Sequence, residues 1–150
     1  KIILDGEIYT EKKLILNSCN NIEWLKDNIS STIELAVENN NYYNTPAYDI
    51  VTEPEFISTI VDKNNINFLF DVAHAKITSI NKNIDYLNYF NSLPLSKIIQ
   101  IHFCNFTIDE KGYAYDTHDE PDDNTYEYLK KIIDKYKNVK YITLEYYKDL

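Results

Sequence analysis

Methionine and arginine are both absent from the 150 residues; all 15 basic side chains are lysine. Glycine occurs only at Gly6 and Gly112, and cysteine only at Cys19 and Cys104. These scarcities exclude several functions. With so little glycine there is no phosphate-cradling loop of the P-loop or dinucleotide type. Two cysteines far apart make neither a disulfide scaffold nor a CxxC pair, so a reduced, cytoplasmic compartment is expected. No apolar run approaches the roughly 20 residues that span a bilayer, and no signal-peptide pattern opens the chain, so no membrane role is expected. A formal net charge of −9 without arginine repels phosphate backbones, which argues against a nucleic-acid partner. Because there is no Met and the first residue is Lys1, the expectation is a chain that has lost its beginning.

What is present is an ordinary globular balance, 44% hydrophobic and 26% charged. The length suits one domain, residues 1–150, but falls short of the roughly 250 residues of a complete (β/α)8 barrel. Ile22, Leu25 and Ile29 recur at helical spacing, and Thr32 to Glu38 reads as a strand. Thr52 with Glu55 has the form of a capping box, opening a helix that should bury Phe56, Ile57, Ile60 and Val61. Asn67 to Asp71 is a second strand, Ile84 to Phe90 a short helix stopped by Pro94, and Lys97 to Phe103 a third strand. Asp123 or Asn124 should cap a helix presenting Tyr128, Leu129, Ile132, Ile133 and Tyr136, before a fourth strand from Val139 to Tyr146. Short apolar strands alternating with helices indicate a parallel α/β sheet. The first twenty residues fit either a hairpin or another βα unit.

The ends of these strands carry the chemistry. Glu38 closes the first and Asp71 the second; His102 and Glu145 lie near the ends of the third and fourth. In parallel α/β folds the carboxyl ends of strands converge on one face, where active sites form. His74 follows Asp71 by three residues, and Asp116 precedes His118 by two, so that in extended backbone this pair points to one side. All three histidines of the chain fall in this set. One strand-end carboxylate alone is more commonly a helix cap, and one buried histidine more commonly a hydrogen-bonded core residue; the joint placement argues for a metal site. Oxygen and imidazole donors without thiolate suit iron, manganese or zinc better than a structural zinc. Seven candidates are too many for one ion.

Other features contribute less. Asp119, Glu120, Asp122 and Asp123 read as a solvated loop and helix N-terminus. The tyrosine pairs Tyr42/Tyr43, Tyr113/Tyr115 and Tyr146/Tyr147 read as packing and surface groups. Asn39, next to Glu38, is a candidate support for the ligands or a substrate contact. Cys104 is not recruited, since its facing depends on the strand running regularly past Phe103.

The succession LAVENN, LFDVAH, IQIHF, YDTHDEP and TLEYYKD, from about residue 20 to 150, resembles the xylose-isomerase-like TIM-barrel superfamily. Within it the likeness is to multinuclear non-haem iron-dependent oxidases that modify ribosomally made peptides, such as the oxidase of methanobactin biosynthesis. The resemblance implies the C-terminal half of a TIM barrel, since family members are complete barrels whose first half supplies further histidines. It implies iron, two or three ions, held by Glu38, Asp71, His74, His102, Asp116, His118 and Glu145, with Glu38 bridging. Glu38, Asp71 and His102 would be the catalytic core. It further implies a Cys-containing precursor peptide as substrate, dioxygen as oxidant, and a small leader-binding partner protein. Two other expectations stand beside it. One is a sugar isomerase, epimerase or endonuclease-IV-like enzyme using Mn, Zn or Mg on the same rim. The other is a non-catalytic half-barrel that forms a homodimer through an exposed sheet edge.

Overall fold

The computed structural model describes residues 2–4 and 7–148. Strands β1 (Ile2–Leu4) and β2 (Glu7–Tyr9) pair antiparallel as a hairpin. Thr10 then caps α1 (Glu11–Asn28) by accepting a hydrogen bond from Lys13 N. The helix thus begins ten residues before the expected Asn21, and it takes in the Leu14 to Leu16 patch. Strand β3 (Ala36–Glu38) is shorter than the Thr32 start expected of it.

A short helix α2 (Tyr48–Val51) precedes α3 (Pro54–Asn64). It displaces the expected capping box. Thr52 ends α2, donating its hydroxyl to Tyr48 O, while Glu53 is the residue at the head of α3 and makes no side-chain cap. Pro54 starts α3 instead, with its fixed φ at a position whose N–H would have no helical partner. The buried face is the expected one: Phe56, Ile57, Ile60 and Val61.

Strand β4 (Asn67–Asp71) has the expected bounds. It runs without a loop into α4 (Val72–Asn81), a helix that the sequence pattern did not indicate, and then α5 (Tyr86–Ser92), capped by Asp85. Strand β5 (Ile98–Phe103) is followed by an antiparallel pair, β6 (Asn105–Ile108) and β7 (Ala114–Asp119), also unanticipated. Helix α6 (Asp123–Lys135) is capped by Asp122 and not by the expected Asp123 or Asn124, and β8 (Tyr141–Leu144) completes the main sheet.

That sheet has the order β3-β4-β5-β8, every pair parallel. Alternating βα units with a parallel sheet are the α/β architecture of part of a TIM barrel. Among the described residues, helices cover one face only. Phe68, Phe70, Ile98 and Ile101 from the central strands pack against Ile57 and Val61 of α3, Tyr89 and Phe90 of α5, and Leu129 and Ile132 of α6. Phe70 meets Phe90 with ring centroids 5.2 Å apart. On the opposite face Leu69, Gln100 and Thr143 are only half-buried, and on the edge strand β8 Tyr141, Ile142 and Leu144 are exposed. No helix among the described residues is long and apolar enough to cross a membrane, and Cys19 and Cys104 are free thiols.

Candidate metal centre

The parallel register sets the rim. Asp71 stands opposite His102 across β4 and β5, and the Glu145 amide, just past β8, still bonds Phe103 O at 3.1 Å. Glu38, at the end of β3, completes the row. One ligating atom from each of Glu38, Asp71, His102 and Glu145 lies within 4.8 Å of the others. Strand alternation explains this: His102 shares with Gln100 the face left free of helices.

Asp71 has two tasks. Its Oδ1 accepts from His74 N at 2.6 Å as the N-cap of α4, while Oδ2 is buried without a hydrogen-bond partner. Cap and candidate ligand are therefore the same residue, using different oxygens. Burial raises its carboxyl to about 6, although the neighbouring His74 charge and the His74 N–H act in the opposite direction. Burial likewise raises the Glu38 carboxyl, against the pull of His74.

His102 also has an orphaned atom. Its Nδ1 lies 3.1 Å from Glu145 Oε1 and 3.5 Å from Glu38 Oε1, yet it is buried and makes a hydrogen bond to neither. A ring nitrogen between two carboxylates, with none of them aligned to take its proton, is the arrangement that a cation completes. On its other side Nε2 is 2.9 Å from the Gln100 carboxamide, which also contacts Thr143 Oγ1 at 3.1 Å. Which end of the amide faces the ring goes with the tautomer: an Nδ1 free to bind metal needs the proton on Nε2 and the amide oxygen turned to it.

His74 stands between two groups of donors. Its Nδ1 is 2.9 Å from Asn39 O, which accepts its proton and orients the ring, and its Nε2 is 3.0 Å from Asp116 Oδ2. Glu38 Oε1 lies 3.6 Å from Nδ1. Burial opposes a charge on this imidazole, but the Asp116 hydrogen bond and the Asp71 and Glu38 charges outweigh it and raise its pKa to about 9. Asp116 moves the other way: despite burial, the His74 contact holds its carboxyl below the usual range.

The Asp116/His118 pair converges as expected, though by a different route. His118 Nε2 lies 3.6 Å from Asp116 Oδ2 and 3.5 Å from Glu145 Oε2. Extended backbone does not run through the pair, because His118 has φ +48°, a left-handed conformation uncommon outside glycine. Tyr147 packs on the His118 ring, centroids 4.6 Å apart.

All seven residues singled out in the sequence therefore meet at one rim, and the structure adds two features. Asn39 is fully buried with its carboxamide closed on the Asp71 backbone, Nδ2 donating to Asp71 O and Oδ1 accepting from Asp71 N, each at 2.9 Å. Its side chain is engaged in support and is not available as a substrate contact. Cys104, which was left out of the ligand set, is 2% exposed with Sγ 3.9 Å from Asp116 Oδ1. Burial and the Asp71, Asp116 and Glu145 charges push its thiol upward. Its place two residues beyond His102 would signal the same face only for a strand running regularly past Phe103, and β5 ends there.

The acidic run stays outside the cluster. Asp122 caps α6, and Asp119 accepts from Thr107 at 2.8 Å and pairs with Lys148. Around Tyr43 and Tyr113 the rings pack edge to face, with centroids 6.0 Å apart.

The donor set fits a metal centre: carboxylates and imidazoles only on the main rim, two of their ligating atoms buried without partners, and supports that fix ring orientation from outside. Comparison with known proteins places the chain in a family. The family model described as "RiPP precursor modification enzyme MbnB/TglH/ChrH" matches residues 8–150. A UPF0276 protein of Vibrio parahaemolyticus is 28% identical over 116 residues, covering 75% of this chain and 39% of that protein. A UPF0276 protein of Caulobacter vibrioides is 26% identical over 113 residues, with the same coverage of each chain. One from Acaryochloris marina is 24% identical over 105 residues, 67% of this chain and 38% of its own length. The matches thus span about two fifths of these relatives.

Proposed function

The chain belongs to the MbnB/TglH/ChrH family of RiPP precursor modification enzymes, and from that premise we propose that it forms the metal-binding rim of an oxidase acting on Cys residues of a ribosomally made precursor peptide. The observation that carries the reading is the pair of buried, partnerless ligand atoms, Asp71 Oδ2 and His102 Nδ1, in one cluster with Glu38 and Glu145. Leaving such atoms unsatisfied is costly unless something else fills the role.

Glu38, Asp71, His102 and Glu145 would hold one ion, and Asp116 and His118 another, with His74 between them. Iron, when bound there, would supply affinity for a substrate thiolate and the redox capacity to use dioxygen. The chain's own residues do the rest. Asn39 fixes the Asp71 backbone and the His74 ring; Gln100 and Thr143 fix the His102 ring. Glu38 is the most exposed ligand of its group, its side chain 36% exposed against 0% for Asp71. A small partner that binds the precursor's leader would deliver that peptide.

The test is reconstitution of the intact protein with Fe(II) under anaerobic conditions, followed by metal analysis and incubation with a Cys-containing precursor peptide and air. Bound iron and an oxygen-dependent mass change on cysteine are expected. A protein that takes up no iron sinks the reading. Turnover of a sugar with Mn, Zn or Mg and no oxygen would replace it with the isomerase.

A further inference from the structure

We propose that Cys104 is a thiolate ligand to a metal ion that it holds together with Asp116 and His118. This rests on the metal-centre reading above and adds to it a sulfur donor, which makes the second position softer than the all-oxygen-and-imidazole one.

The geometry carries the assignment. Ligating atoms of Cys104, Asp116 and His118 all lie within 4.8 Å of one another, in a group separate from Glu38, Asp71, His102 and Glu145. The residues come from two elements that the chain brings together: Cys104 directly follows β5, and Asp116 and His118 sit on β7, whose hairpin partner β6 begins one residue later, at Asn105.

A buried cysteine is commonly an inert small hydrophobe, surrounded by apolar groups. Cys104 has that environment on one flank only, against Ala73, Ile77 and Ala114. The other flank is anionic. Asp116 Oδ1 is 3.9 Å from the sulfur, and a ring nitrogen of His118 lies within 4.8 Å of both ligating atoms. A carboxylate and an imidazole gathered at a buried sulfur suit a cation that a thiolate shares with them. Binding then forms the sulfur–metal bond as the S–H bond breaks; the proton leaves to solvent, and no electrons are transferred.

The test is optical and needs no turnover. Intact protein is loaded with Co(II) in the absence of peptide, so that the chain is the one source of sulfur. Visible d–d bands together with a near-ultraviolet thiolate-to-cobalt charge-transfer band are expected. The charge-transfer band should vanish in Cys104→Ser with the visible bands kept, and persist in Cys19→Ser. Visible bands without charge transfer in the unaltered protein, or charge transfer surviving in Cys104→Ser, overturn the assignment while leaving the metal centre intact. Absence of all cobalt bands removes the metal centre and the thiolate with it. Should Cys104→Ser fail to fold, X-ray absorption on the zinc-loaded unaltered protein decides: a sulfur shell at about 2.3 Å supports the ligand, and only nitrogen and oxygen neighbours refute it.

Discussion

Nε2 of His74 and Oδ2 of Asp116 lie 3.0 Å apart although 42 positions separate them in the chain. With Asn39 O taking the proton of Nδ1, the imidazole holds a proton on both nitrogens at neutral pH, consistent with its pKa of about 9. A metal ion that takes Nε2 must displace one of them. Metal binding near pH 7.5 should therefore release protons, and affinity should rise with pH up to about 9. Calorimetric titration in buffers of different ionisation enthalpy checks this. A heat independent of buffer would contradict it.

The same shifts give the metal-free protein an unusual pH dependence. His74, raised from 6.5 to about 9, contributes stability that is complete below 6.5 and lost as pH rises through 9. Asp71, raised from 3.8 to about 6, adds a cost that is absent below 3.8 and complete above 6. In both cases the folded state holds more protons than the unfolded one, so stability falls as pH rises. The thermal midpoint of the metal-free protein should drop between pH 5 and 9, and saturating metal should abolish or reverse the trend. A midpoint that climbs across that range without metal would refute it.

Asp71 can be divided by substitution. Asp71→Asn keeps a good helix cap for α4 and removes the charge; Asp71→Ala removes both. Both should lose metal binding, and the alanine variant should be less stable than the asparagine variant by about 1 kcal/mol in the metal-free state. Denaturant unfolding alongside metal titration separates the two roles.

Gln100→Leu removes the group that orients His102 without touching a ligand. Metal affinity should fall by about 10–100-fold, with the circular dichroism spectrum unchanged. An unaltered affinity would mean that the ring is held by its packing alone.

In the core, Phe70 is fully buried between Phe68 and Phe90. Phe70→Ala should cost about 3–5 kcal/mol of unfolding free energy, a large share of a domain's usual stability.

Much of this rim was legible because a parallel strand announces itself as a short apolar run and its last residue is then obvious. Asn67–Asp71 is the clearest example. What escaped notice had weaker local signals. Helix α4 follows β4 with no turn residue between them, and its cap is Asp71, which also reads as a ligand. The hairpin of β6 and β7 turns through a polar stretch around Gly112, where strand alternation is diluted. Thr52 and Glu55 had capping-box spacing, but Thr52 was already engaged with the turn before it. The facing of Cys104 depends on how the chain leaves β5, which no periodicity in the sequence reports.

The two hydrogen bonds between the Asn39 carboxamide and the main chain of Asp71 have a further consequence. Strand β3 has already ended at Glu38, yet the amide of the next side chain offers the same donor and acceptor that a peptide group would. Asn39 acts as a prosthetic rung: it extends the β3–β4 ladder beyond the last backbone pair. The spacing between Glu38 and Asp71 is thereby held at the inter-strand distance, at a point where two strand ends would otherwise be free to splay.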